Sequence, residues 1–300
     1  MAVFDQSGTS GRGAIYALGE AARFDQTQMQ LRDLHLKLPS GTTMARVSGC
    51  PTRGTVFLMH ALGLDRYAFE RLRASLGPEW MLVSFDQLAH GVRRESRAFS
   101  MGDYVRDARA AIEELAVGPV HLLGHALGGT IAAMTASELN SVASLIAVST
   151  PSHGLPIFAK RGEEGRREGT EKIIEPTFQR WFGSLAPARV LSISRYAAST
   201  LRDMRPEGYE SAWKAFASFA GYEPIASRLP AFKYVTACDD LSTPPSHADA
   251  IRAALDRGGM RHAFTVDLIP EGGHMLPLIS PEVVALTARQ HWSTLGDAGA

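Results

Sequence analysis

Residues 120–129 read VHLLGHALGG, an apolar run that ends in a glycine-framed corner and opens into a helix. The pattern has the outline of a nucleophile elbow, G-x-S-x-G, in which one side chain stands exposed at a sharp strand-to-helix turn. Flanking glycines are needed because strand and helix must approach more closely than a Cβ would allow. Ala126 occupies the place of the serine. A buried strand feeding a helix in this way demands a sheet covered on both faces, and so constrains the rest of the chain to an α/β arrangement.

The remaining segments fit that demand. Residues 30–38 and 42–47 alternate around a Pro-Ser-Gly turn and read as a hairpin. Residues 55–60, 80–85, 142–148, 232–237 and 263–269 are apolar runs of strand length. Helical spacing falls at 67–76, at 100–115 behind a Ser100/Asp103 capping box, at 128–139, at 247–255, and at 280–292 with Ser280 as N-cap and Pro281 at N1. Strands alternating with helices predict βαβ units and a mostly parallel sheet flanked by helices. The rhythm stops at 149–154, and from Pro156 to Tyr222 the composition is helical, dense in Arg, Glu and aromatics. The expected organisation is an arm at 1–28, a core at 29–154 and 223–300, and a helical cap insertion at 155–222 over the carboxyl edge of the sheet, where open α/β sheets bind ligands.

Composition narrows the function classes. The 31 basic and 31 acidic residues cancel, which argues against a nucleic-acid partner. The start lacks the pattern of a secretory signal and no apolar run reaches membrane-spanning length, so no membrane partner and a cytoplasmic location are expected; a homodimer stays open. Cys50 and Cys238 stand in no redox or metal-ligand spacing, so no disulfide, metal or cofactor is expected. Cys238, at a strand end, is expected to be a packing residue.

Acyl transfer by an activated hydroxyl needs a base, an acid to fix the tautomer of that base, and donors for the developing oxyanion. Downstream of the elbow, CDDLSTPP at 238–245 is a carboxylate-bearing turn, and GGH at 272–274 follows the last strand. Asp240 is the expected acid, with Asp239 as runner-up because spacing does not separate adjacent carboxylates. His274 is the expected base. Each alone would read as a turn former or a structural histidine, but together they stand in the chain order nucleophile, acid, histidine, each at a strand end. The expected oxyanion donors are the N–H groups of Leu127 and Leu62. His60, His90 and His125 lie in tight loops and are expected to bond the backbone rather than to act as bases.

Through residues 60–63, 86–91, 124–129, 240–245 and 273–274, the chain resembles the α/β-hydrolase superfamily over roughly residues 30–295. Within the insertion, 178–182 and 206–209 are similar to segments of 3-oxoadipate enol-lactonases and related small-lactone hydrolases. This resemblance implies a hydrolase acting on a small, carboxylate-bearing lactone or ester. It makes Trp181 a candidate pocket wall and Arg180 a candidate carboxylate partner; Arg161 and Arg166 are weaker candidates, since cap arginines commonly pair with neighbours such as Glu163 and Glu164. Three departures stand out: the extra arm, Ala61 where a glycine usually follows the loop histidine, and the missing nucleophile.

Three readings of Ala126 follow. A serine hydrolase has been altered to alanine, a change that traps ligand while leaving base, acid and donors in place. Alternatively the alanine is natural and the chain is a non-catalytic binding module. In the third, the site works without a nucleophile, with His274 as base of a lyase or cofactor-free oxygenase. Hydrolysis of a carbon–carbon bond is a further use of the same framework. The completeness of the remaining triad favours the first.

Overall fold

The computed structural model describes residues 31–183 and 185–296; the expected arm at 1–28 lies outside them. Eight strands form one sheet in the order β1-β2-β4-β3-β5-β6-β7-β8. β1 (Arg32–Leu38) and β2 (Gly41–Ser48) make the expected hairpin, and β2 pairs antiparallel with β4 (Met81–Phe85). From there β3 (Thr55–Met59), β5 (Val120–His125), β6 (Val142–Val148), β7 (Ala231–Ala237) and β8 (Phe264–Ile269) run parallel. The central strands β3, β4 and β5 are buried at every residue, which is why their sequences read as continuous apolar runs. β8 is an edge strand and alternates between half-buried and exposed.

Helices cover both faces. α1 (Glu70–Leu76) is preceded by a 3₁₀ turn, so the periodic stretch from Tyr67 divides into two elements. α2 (Met101–Leu115) carries the expected capping box, with Ser100 and Asp103 bonding each other's backbone N–H. α3 (Leu127–Ala136) follows the elbow and is buried almost throughout. Between β6 and β7 the chain is helical: α4 (Pro156–Glu168), α5 (Ile174–Phe182), α6 (Pro187–Asp203) and α7 (Pro206–Ala217). Proline at the first turn of α4, α6 and α7 suits these starts, because an N–H there would have no partner. α8 (Ser246–Arg257), the short α9 (Leu276–Ile279) and α10 (Pro281–Gly296) complete the chain. Among the described residues no helix is long and apolar enough to cross a membrane.

Cys238 corrects an expectation: it is exposed, whereas Cys50 is buried. β7 ends at Ala237, and Cys238 already belongs to the turn, with its N–H bonded to the Ile269 carbonyl and its side chain turned outward.

Candidate active site

The elbow is built as its sequence requires. Ala126 sits at φ 50°, ψ −111° between β5 and α3, a sparsely populated conformation that costs an L-residue about 1–3 kcal/mol. Packing holds it there. The Ala126 N–H bonds the Val148 carbonyl at 2.9 Å. A Cβ on Gly124 would strike the Gly128 carbonyl, and one on Gly128 the carbonyls of Met59 and His60. Strand, helix and the end of β3 therefore meet backbone to backbone, which brings the first turn of α3 beside the loop 60–63. Leu127 is the first residue of α3, so its N–H has no intrahelical acceptor. Among the described residues neither Leu127 nor Leu62 has a partner for its N–H.

The two aspartates are separated by their hydrogen bonds. Asp240 is buried and lies against His274 Nδ1, at 3.0 Å from Oδ2 and 3.2 Å from Oδ1. It also accepts from the N–H groups of Ser242 (2.8 Å) and Thr243 (2.9 Å) and from the Thr243 hydroxyl (2.7 Å). Burial pushes its carboxyl up, but the His274 charge and these donors outweigh burial and hold it below the ordinary value. Asp239 instead accepts from the N–H groups of Gly272 and Gly273, at 3.0 and 2.9 Å, and so braces the loop that presents the histidine. His274 is further fixed at its own N–H by the Trp181 carbonyl (2.9 Å) and at its carbonyl by His125 Nε2 (2.8 Å). With Nδ1 donating to Asp240, Nε2 is the nitrogen left to take a proton.

The other histidines bond backbone, as expected. His60 Nδ1 donates to the Ala61 carbonyl at 3.0 Å, and His90 Nδ1 to that of Leu88 at 2.7 Å. Burial lowers His60 to about 4, and His90 and His125 to about 3. On the far side of the site His121, 2.8 Å from the Ser144 hydroxyl, is lowered by burial to about 4. These four rings are neutral in the fold near pH 5 and charged in the unfolded chain, whose histidines titrate near 6.5. The unfolded state then binds more protons, so stability rises with pH across this window and is lost as pH falls from about 6.5 toward 4. We expect unfolding near pH 5 to take up about four protons, lowering stability by as much as about 5 kcal/mol per pH unit. Calorimetric melts between pH 4 and 8 check this; a melting temperature flat from pH 7 to 5 would contradict it.

Ala126 and His274 line a small cavity together with Pro151, Phe158, Arg161, Arg180, Trp181, Trp213, Phe216, Ser242 and Thr243. Helices α4, α5 and α7 thus supply its roof. Trp181 is a wall residue, and its carbonyl also ties down His274. Arg180 reaches the cavity while bonding the Pro176 carbonyl (2.8 Å) and the Thr177 hydroxyl (3.0 Å). Arg161 faces it too, stacked over Phe158 and Trp213 at 5.6 and 5.4 Å. Among the described residues neither guanidinium has a carboxylate within ion-pair distance, and burial, then the Arg180 charge, lowers Arg161 to about 10. Arg166 turns away and pairs with Glu207 at 3.2 Å. Trp213, Phe158 and Phe216 were not singled out from sequence; their spacing on α4 and α7 is that of any buried helix face.

A sequence profile described as the alpha/beta hydrolase family matches residues 56–287. An (E)-2-((N-methylformamido)methylene)succinate hydrolase of Acinetobacter baylyi is 28% identical over 245 residues, covering 78% of this chain and 88% of that protein. 3-Oxoadipate enol-lactonase 1 of the same organism is 20% identical over 208 residues, covering 67% and 77%. The crystal structure of the enol-lactonase from Burkholderia xenovorans superimposes with a TM-score of 0.76 at 15% identity, covering 87% of this chain and 100% of that one, which shows a shared fold.

Proposed function

The chain belongs to the alpha/beta hydrolase family, and from that premise we propose that its site is that of a hydrolase for a small, carboxylate-bearing lactone or ester, present here with alanine in place of the nucleophilic serine. The carrying observation is the Asp240–His274 pair set beside an elbow that still holds its strained φ of 50°. In the serine form the hydroxyl at position 126 attacks the substrate carbonyl as His274 Nε2 takes its proton. Asp240 holds the ring in the required tautomer and faces the imidazolium as it forms. The Leu62 and Leu127 N–H groups receive the oxyanion. His274 then returns the proton to the leaving oxygen and activates the water that frees the acyl group. The alanine form keeps every part except the attacking atom, so it binds substrate and turns it over slowly. Serine at position 126 is the direct test of the chemistry.

Arg161 and Arg180 support the acidic character of the substrate. Two partly buried guanidinium groups, with Glu164 nearby but outside ion-pair distance of either, leave a cavity that favours an anion, and a substrate carboxylate supplies it. Charge-assisted hydrogen bonds of this kind carry about 1.5–3 kcal/mol each. In the chain as it stands, Arg161→Gln or Arg180→Gln should weaken binding of a carboxylate-bearing lactone by roughly 10- to 100-fold. Arg166→Gln should leave it unchanged. Titration calorimetry with the acid and its neutral methyl ester measures this; equal affinity for both ligands would remove the anionic substrate.

A further inference from the structure

Among the described residues helix α6 contributes none to the cavity lining, yet it is bonded to the loop beside the elbow. Thr200 and Tyr196, one turn apart on its inner face, both reach the loop after β3. The Thr200 hydroxyl donates to the Gly63 carbonyl at 2.6 Å, and the Tyr196 hydroxyl donates to Asp65 Oδ1 at 2.6 Å. The Thr200 hydroxyl also lies 3.0 Å from the Ala197 carbonyl in its own helix, but it has one proton and Gly63 is the nearer acceptor. The same Asp65 oxygen accepts the Tyr67 N–H at 2.9 Å, so Tyr196 anchors the turn that closes the loop. Packing is equally close: at Gly63, with φ 87°, an added Cβ would lie 2.7 Å from Leu201 and 3.1 Å from Trp181.

These bonds complete a clamp on the peptides around Leu62. The Gly63 N–H is held by His90 Nε2 at 3.0 Å, and the Ala61 carbonyl by His60 Nδ1 at 3.0 Å. The Ala61 carbonyl and the Leu62 N–H belong to one planar peptide, so holding the carbonyl sets the direction of the N–H. His60 and His90 belong to the sheet-side loops; Thr200 and Tyr196 come from the β6–β7 connection. Oxyanion stabilisation depends on donors being aimed before charge develops. We propose that Thr200 and Tyr196 are positioning residues for the Leu62 N–H, so that docking of α6 and assembly of the oxyanion site are one event. This rests on the hydrolase reading for its consequence in catalysis; the mechanical coupling does not.

The test therefore has two arms. In the chain as it stands, Thr200→Val keeps the branched shape and removes the donor, Tyr196→Phe removes the other, and Thr200→Ser keeps the hydroxyl. Amide hydrogen exchange over residues 61–65 should quicken about tenfold in Thr200→Val and in Tyr196→Phe and stay within about twofold in Thr200→Ser, with melting temperature followed alongside. Combined with Ala126→Ser, Thr200→Val should lower kcat about tenfold with KM within about twofold, and Thr200→Ser should restore it. Unchanged loop exchange in both hydroxyl-deleting variants overturns the coupling, and a rise in KM with kcat unchanged overturns the positioning role. Absence of hydrolysis in the parent Ala126→Ser protein counts against the hydrolase reading, and the exchange arm still decides the coupling of α6 to the loop.

Discussion

Ala126→Ser is expected to raise hydrolysis of small carboxylate-bearing lactones and esters by ~10³-fold or more over the chain as it stands, because loss of a triad serine leaves only the rate supplied by oxyanion donors and binding. The substitution adds one hydroxyl at a corner whose backbone already has the elbow conformation, so it needs no rearrangement to be productive. The Ala126 methyl already faces the cavity shared with His274, which gives the added oxygen both room and a base. Steady-state assays on a panel of lactones and aryl esters, together with labelling by a serine-directed phosphonate, measure the outcome. If the serine form neither hydrolyses nor is labelled, the hydrolase proposal fails. Tight ligand binding that gains nothing from serine would favour a binding module. Activity already present in the alanine form and abolished by His274→Ala would favour chemistry in which His274 works without a nucleophile.

In that serine form, Asp240→Asn should lower kcat by ~10³- to 10⁴-fold, whereas Asp239→Asn should cost less than about fivefold. The two residues are neighbours in sequence but serve different partners. At position 240 the amide oxygen can still accept the Ser242 and Thr243 N–H groups, which turns the amide nitrogen toward His274 Nδ1. A donor there places the ring proton on Nε2, the nitrogen that must accept the serine proton. At position 239 an amide oxygen still accepts the Gly272 and Gly273 N–H groups, so the histidine loop keeps its brace. The measurement is kcat for both variants in the Ala126→Ser background. Equal losses at the two positions would mean that orientation of His274 by Asp240 is not what sustains the reaction.

Much of the site was legible because its parts obey local rules. The elbow announces itself through glycines that only a backbone-to-backbone contact requires, and Gly124 and Gly128 meet that description. The capping box at Ser100 and Asp103 is readable because both partners lie within one turn. His60 and His90 could be assigned to backbone bonding because tight loops leave a buried imidazole few other partners; His125 also bonds backbone, but from the last position of β5 and not from a loop. Legibility ended where contacts are distant in sequence. Arg161 and Arg166 look alike in sequence, yet one faces the cavity and the other pairs with Glu207, because successive turns of α4 meet different neighbours. Cys238 looked like a packing residue from its apolar character, but the end of β7 turns it outward.

The sequence by itself determined the α/β alternation, the elbow with its alanine, and the order in which an acid and a histidine follow it, since these depend on backbone preferences and periodicity within a few residues. The tertiary structure alone decided that Asp240 rather than Asp239 meets His274, that Arg161 joins Arg180 in the cavity, and that Thr200 grips Gly63. The physical reason is separation: Asp240 and His274 stand 34 positions apart, and Thr200 and Gly63 stand 137 apart. At such distances the facing side chain is chosen by where the sheet delivers each loop, and a one-residue shift along a turn reverses which carboxylate points inward.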